Sequence, residues 1–125
     1  MSFFPPQGAA SAAAAGGGGL DTSTSHTTSA TLSTSGFNDN TGASGTITLT
    51  FDDTAARNAV ITRVATQEVR IAPASGKTIT WSGGTMGTDE YLRLLADDAV
   101  VWAYVTSAGN VVVISEFGAI AEQTP

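Results

Sequence analysis

Val100-Val101-Trp102-Ala103-Tyr104-Val105-Thr106, then Ser107-Ala108-Gly109-Asn110, then Val111-Val112-Val113-Ile114-Ser115-Glu116 decide the fold class. The two flanking segments are rich in β-branched and aromatic residues, which suit a pleated, half-buried surface better than a helix. The four residues between them are small and turn-forming, so the whole reads as a β-hairpin. Working back along the chain, Thr78 to Ser82 is a strand with Ile79 and Trp81 on one face, closed by Gly83-Gly84. Glu68 to Ala72 places Val69 and Ile71 inward and Arg70 outward, and Pro73-Ala74-Ser75-Gly76 turns the chain. Ala59 to Ala65 is a strand with Val60 and Ile61 on opposite sides, and Thr46 to Phe51 sets Ile47, Leu49 and Phe51 on one face. Glu90 to Leu95 fits a strand or a short helical turn, and its neighbours favour the strand. About seven short strands, separated by turn signals every ten residues or so, predict a single antiparallel β-sandwich or jelly-roll-like domain. No repeat of fixed period is visible, which argues against a propeller or solenoid.

Upstream of this region the composition changes. Residues 8 to 45 are dominated by Gly, Ala, Ser, Thr and Asn, so the chain divides into a low-complexity N-terminal arm and linker (1–45) and a β-sandwich domain (46–125). Phe3-Phe4-Pro5-Pro6 is a local apolar knot. It reads either as an anchor that docks on a partner or as a frayed end carrying two aromatics. Ala9 to Ala15 could form a turn or two of helix, too short to be stable alone, and Gly16 to Gly19 would end it in a flexible joint. Asp21 to Ser35 is a Ser/Thr tract in which Ala30 and Leu32 alternate with polar residues, giving an edge strand over 29–35. Gly36 to Gly45 reads as a turn-rich loop.

A chain of 125 residues makes one domain at most. Without the arm, about 80 residues remain for a core, a size at which roughly 60 to 65 per cent of the unfolded surface is buried. The chain has no Cys, so neither a disulfide nor a thiolate metal site can supplement that core. Oligomerisation is the remaining route to more buried area. Five basic residues (Arg57, Arg63, Arg70, Lys77, Arg93) face eleven acidic ones, for a net charge of −6. These bases are too few and too scattered for nucleic-acid binding, and the acidic balance disfavours anionic membrane surfaces. No apolar run approaches transmembrane length, and the N-terminus lacks the basic and apolar regions of a secretory signal.

The residues that could carry chemistry are few. Asp52-Asp53 and Asp97-Asp98 are paired aspartates. Each pair is adjacent in sequence at a strand end, where Asp serves turns, rather than set across a sugar as glycoside hydrolysis requires. Asn38-Asp39-Asn40-Thr41-Gly42 offers oxygen ligands, but without the charge and spacing of a calcium loop. His26 has no Cys to activate and no orienting carboxylate beside a serine. The Gly clusters at 16–19 and 83–87 lack the Lys and following helix of a phosphate loop. We therefore expect no catalytic, cofactor or metal site. Trp81, Trp102 and Tyr104 are the notable aromatics, and each could serve as core, as subunit interface or as a ligand-stacking surface.

The stretch from about Phe51 to Ile120 resembles a domain recurrent in tailed-bacteriophage virion proteins. Ile71-Ala72-Pro73-Ala74-Ser75-Gly76-Lys77-Thr78-Ile79 is similar to that family's middle segment, and Ser107 to Ser115 to its closing hairpin. The chain departs from the pattern at Val111 and Val112, where an aromatic is usual, and in having Trp102 a strand earlier. The match covers a little over half of the chain and rests on turn and core features, so it carries no site residues. Such domains occur in fibres and spikes and in small proteins that decorate or cement capsids, commonly as homotrimers. Taken as complete, this chain is short for a fibre. The resemblance thus implies a non-enzymatic capsid decoration protein on the virion surface, assembled in the host cytoplasm. Its partners would be its own copies and the major capsid protein, the latter held by the arm through Phe3, Phe4, Pro5 and Pro6. The alternative is a fibre or tail-tip module that binds host glycans.

Overall fold

The computed structural model describes residues 20–53, 57–87 and 89–123. Phe3, Phe4, Pro5 and Pro6, the Ala-rich turn and the Gly16 to Gly19 joint lie outside the described residues.

Twelve strands are formed among the described residues: β1 (Ser23–Ser25), β2 (Ala30–Leu32), β3 (Gly36–Asp39), β4 (Ile47–Phe51), β5 (Arg57–Thr62), β6 (Val69–Ala72), β7 (Ile79–Trp81), β8 (Gly84–Met86), β9 (Tyr91–Leu94), β10 (Val100–Val105), β11 (Val111–Phe117) and β12 (Ile120–Gln123). They make a seven-stranded sheet, in the order β1-β3-β5-β10-β11-β7-β8, and a five-stranded sheet, in the order β12-β9-β6-β4-β2. The two sheets pack into the expected β-sandwich. Ile47, Leu49 and Phe51 of β4, Ala59 and Ile61 of β5, Val69 and Ile71 of β6, Leu92 and Leu94 of β9, and Val101, Ala103 and Val105 of β10 are all buried between them. Period-two alternation read from the sequence therefore places the core correctly, because each sheet hides one face and leaves the other to solvent. Segment 90–95 is a strand, as its neighbours suggested.

The pairing is not antiparallel throughout. Strands β1, β3 and β5 run parallel to one another in the large sheet, as do β2, β4 and β6 in the small one. β7 is parallel to β11. The cause is the path of the chain. From β1 to β6 each strand lies in the sheet opposite the one before it. Two crossings restore the direction, so every second strand returns alongside and parallel. This is the winding of a two-sheet coil, and it explains why no period is visible. Ser23 pairs with Phe37 but Gly36 with Ala59, and Ala30 pairs with Leu49 but Ile47 with Val69. Unequal lengths of chain complete each circuit.

This winding also corrects the boundary at residue 45. Ser23 to Asp39 belongs to the fold: β2 is the edge strand anticipated at 29–35, but β3 occupies the first part of what reads as a loop, and β1 pairs alongside it. Polar side chains stitch the stacked crossings together. At one end the Arg57 guanidinium, 3% exposed, donates through Nη2 to the carbonyls of Leu32 (2.7 Å) and Asp52 (3.0 Å) and to the Asp52 carboxylate (2.9 Å). Burial pulls its pKa below the ordinary value while Asp52 acts in the opposite direction. At the other end the fully buried Asn40 accepts from the backbone N–H groups of Val64 (2.7 Å) and Ala65 (2.9 Å) and donates to the carbonyls of Ala65 (3.3 Å) and Gln67 (3.1 Å).

Two outcomes follow from this architecture. A chain starting at Gly45 should lose cooperative urea unfolding, followed by Trp fluorescence, whereas one starting at Leu20 should keep it. Arg57→Ala should destabilise the fold by about 3 kcal/mol, the lower end of the range for breaking a buried pair because Asp52 is partly exposed.

Candidate functional site

The side chains that could carry function lie on the outer face of the seven-stranded sheet. On β10 Val101, Ala103 and Val105 point inward, so Val100, Trp102 and Tyr104 point outward. Strand register then places the outward residues in rows. Phe37 on β3 lies beside Val60 on β5, Val60 beside Trp102, and Trp102 beside Ser115 on β11. A second row runs Asn58, Tyr104, Val112 and Thr80. A third runs Asp39, Thr62, Val100 and Phe117. The β10–β11 register shifts between Trp102 and Ala103, leaving Ile114 as the extra residue of a bulge. The result is a cluster of exposed apolar side chains: Phe37 at 45%, Trp102 at 39%, Val112 at 39%, Ile114 at 54% and Phe117 at 71%. The Trp102 indole N–H donates to Asn58 Oδ1 (3.3 Å), which holds the ring against its neighbouring strand. These rows contain no basic side chain, and Asp39, at the margin, is their one carboxylate.

Of the three aromatics singled out from sequence, Trp102 and Tyr104 share this face. Trp81 is set apart from them. It lies on β7, half-buried against the core, with its indole N–H donating to Glu122 Oε1 (3.1 Å) on β12, the edge strand of the other sheet. Trp81 thus closes one open side of the sandwich. The backbone of Gly83 lies directly on its ring: a Cβ there would fall 2.5 Å from Trp81 Cζ2. Beside it, a shallow cleft of about 530 Å³ opens where β11 runs on past its last rung with β7, lined by Trp81, Ser82 and residues Val112 to Glu116 among others.

The remaining candidates are engaged in holding the fold. Asp52 pairs with Arg57, and Asp97 with Arg63 at 3.2 Å. Asp98 takes the left-handed conformation of a turn (φ 70°), its N–H on the Arg63 carbonyl. In the Asn38 to Gly42 segment the Asn40 carboxamide is saturated by backbone. Asn38 Nδ2 donates to the Gly36 carbonyl (3.2 Å), Asn38 Oδ1 lies 2.8 Å from His26 Nε2, and Asp39 Oδ1 accepts from the Thr41 N–H (2.9 Å). No group of three or more metal-ligating side chains occurs among the described residues. No helix among them is long and apolar enough to cross a membrane.

The outer face of the five-stranded sheet is different in kind. Arg70 and Arg93 lie directly opposite each other on β6 and β9, and both bind Glu68: Arg70 Nε at 2.8 Å, Arg93 Nε at 2.9 Å and Arg93 Nη2 at 2.8 Å. Arg70 also stacks over the Tyr91 ring at 4.8 Å. The hydrogen bonds from Arg93, and then those from Arg70, outweigh burial and hold the Glu68 carboxyl down from 4.5 to about 2.

Sequence reading missed Phe37, Val112, Ile114 and Phe117 as surface residues. The available signal was the unbroken run Val111 to Ile114: a strand with one face in solvent should alternate, and one that does not is apolar on both faces. No protein-family model matches the chain, and no curated protein matches it.

Because the Glu68 pKa is lower in the folded protein, its contribution to stability is complete above pH 4.5 and is lost as pH falls through about 2. Melting temperatures measured across this window should fall for the native sequence. Glu68→Gln should lower the plateau at neutral pH and flatten the acid limb.

Proposed function

We propose that this chain is a non-enzymatic structural protein of a tailed-phage particle, a decoration or cement protein that adds to the head shell as a homotrimer. The observation that carries the reading is the apolar outer face of the large sheet. A contiguous apolar patch held on central strands stabilises a protein only when something covers it. Its residues offer contact area and almost no chemistry, as suits a part whose work is mechanical. In such a role, surface buried between shell subunits raises the cost of separating them against the pressure of packaged DNA. The resemblance between residues 51 and 120 and virion β domains supplies the particle. The small core, which gains from neighbours, supports the oligomer. In this reading the arm, with Phe3, Phe4, Pro5 and Pro6 at its tip, engages the major capsid protein.

A second reading has one observation in its favour. Phe37 and Trp102 are exposed on one face, with the half-buried Tyr104 on the same face, and aromatic rings can stack on sugars. A fibre or tail-tip module binding host glycans would use them so.

Adding purified protein to heads that lack it separates these readings. The decoration role predicts saturable, stoichiometric binding and heads that survive higher temperature. Deleting residues 1–19 should abolish that binding while leaving an assembly of three truncated chains. Normal decoration by the truncated chain would rule out the role given to the arm. Binding to host cells or glycan arrays, lost in Trp102→Ala, with no binding to heads, would favour the second reading.

A further inference from the structure

We propose that the slot between β7 and β11 is a peptide-binding site. Its ligand is an extended segment of another protein that carries Lys or Arg and adds to β11 as a further strand. The inference depends neither on the particle the chain joins nor on what meets the apolar rows around Trp102. Three observations carry it.

The first is an interrupted ladder. β7 and β11 run parallel for two rungs, Val111 with Ile79 and Val112 with Thr80. β11 then continues to Phe117, paired with β10 on its other side. Among the described residues, no backbone hydrogen bond outside the ladders reaches residues 114–117. An edge of this kind presents N–H and carbonyl groups in series, and another extended backbone is what matches them. The outer edges of the sheet are poorer templates. β1 and β8 are three residues long, and β1 is entirely polar. Residues 114–117 contain neither Pro nor Lys, the residues that commonly guard an edge.

The second is that the slot is already formed. β7 leaves β11 because the Trp81 indole N–H is held by Glu122 Oε1 (3.1 Å) on the other sheet. The chain then turns through Ser82-Gly83 into β8, with the Gly83 backbone against the Trp81 ring. Ser82 Oγ donates to Glu116 Oε1 (2.6 Å), which ties the two walls together. The space between them is about 530 Å³, within the usual range of ligand clefts. A site that is formed before binding loses little ordering entropy on contact.

The third is charge. Glu116 lines the slot, Glu122 meets the Trp81 indole beside it, and no Lys or Arg lines it. Among the described residues no cation pairs with Glu116. The chain as a whole carries −6. A basic segment is therefore attracted both locally and by the overall field, and an acidic one is repelled. Trp81 and Val113 pack toward the core, so the side chains that alternate onto them are apolar.

Backbone-amide NMR on the full chain tests the proposal. The probe is a pool of blocked pentapeptides with Lys second and fourth, and Val, Ile, Thr or Tyr elsewhere. It should bind saturably, shifting the amides of residues 80–82 and 113–117 and slowing their exchange. A pool with Glu in place of Lys should bind about tenfold more weakly. The Lys pool N-methylated at every amide should not bind, because it has no donors for the edge. Glu116→Lys should weaken the Lys pool about tenfold. Asp21→Lys makes the same change in charge near β1, at the far edge of the sheet, and should leave binding almost unaltered. If Glu116→Lys does not fold, the Lys and Glu pools on the native chain carry the charge test. Absence of saturable shifts up to about 10 mM of the Lys pool overturns the proposal. So do shifts centred on other strands, or equal binding of the N-methylated or the Glu pool. Unchanged affinity in folded Glu116→Lys, or an equal loss in Asp21→Lys, overturns it as well.

Discussion

The fold depends on pairing the polar groups of chain that crosses between two sheets. Each crossing exposes backbone N–H and carbonyl groups that no strand ladder satisfies, and burying them unpaired would cost more than a small core can supply. Arg57 and Asn40 meet that constraint from opposite ends of β5. Arg57 collects the Leu32 and Asp52 carbonyls where β2 and β4 finish. Asn40 uses both its carboxamide atoms on the connection that leaves β5 for β6. Lesser ties repeat the scheme: Ser35 Oγ accepts from the Asn58 N–H, and Ser29 Oγ from the Thr48 N–H. Part of the Ser and Asn content of residues 20–45 is thereby explained. These side chains supply the hydrogen bonds that let short strands stack.

The two outer faces then diverge for reasons visible in their rows. On the small sheet, charge meets countercharge: Glu68 holds two arginines that would otherwise repel across β6 and β9. That face is satisfied without a partner. On the large sheet, the bulge at Ile114 and the outward phase of β10 bring aromatic and aliphatic side chains together on strands far apart in sequence. Trp81 shows how narrow the margin is. It is an aromatic on the same sheet, but its inward phase makes it a seal on the sandwich.

Much of this was legible beforehand. Ile47, Leu49, Phe51, Val69, Ile71, Leu92 and Leu94 announce themselves by alternation, and all are buried. The hairpin at Ser107 to Asn110 closes as its composition indicates, with Gly109 in a left-handed conformation (φ 87°) and the Thr106 N–H on the Asn110 carbonyl. What stayed hidden were strands such as β1 and β3. The three residues Ser-Thr-Ser of β1 and the four residues Gly-Phe-Asn-Asp of β3 have no intrinsic preference strong enough to be read, and they become strands only because a neighbour with free hydrogen-bonding groups lies alongside.

The sequence by itself thus determined a β-sandwich, its principal strands and the inward residues of its core, since period-two alternation is a local property of the chain. Only the tertiary structure decided that residues 20–40 belong to the fold, that half of the pairing is parallel, and which aromatics face outward. Those outcomes depend on register between strands distant in sequence. A one-residue shift in phase moves a side chain from core to surface, and no local pattern records it.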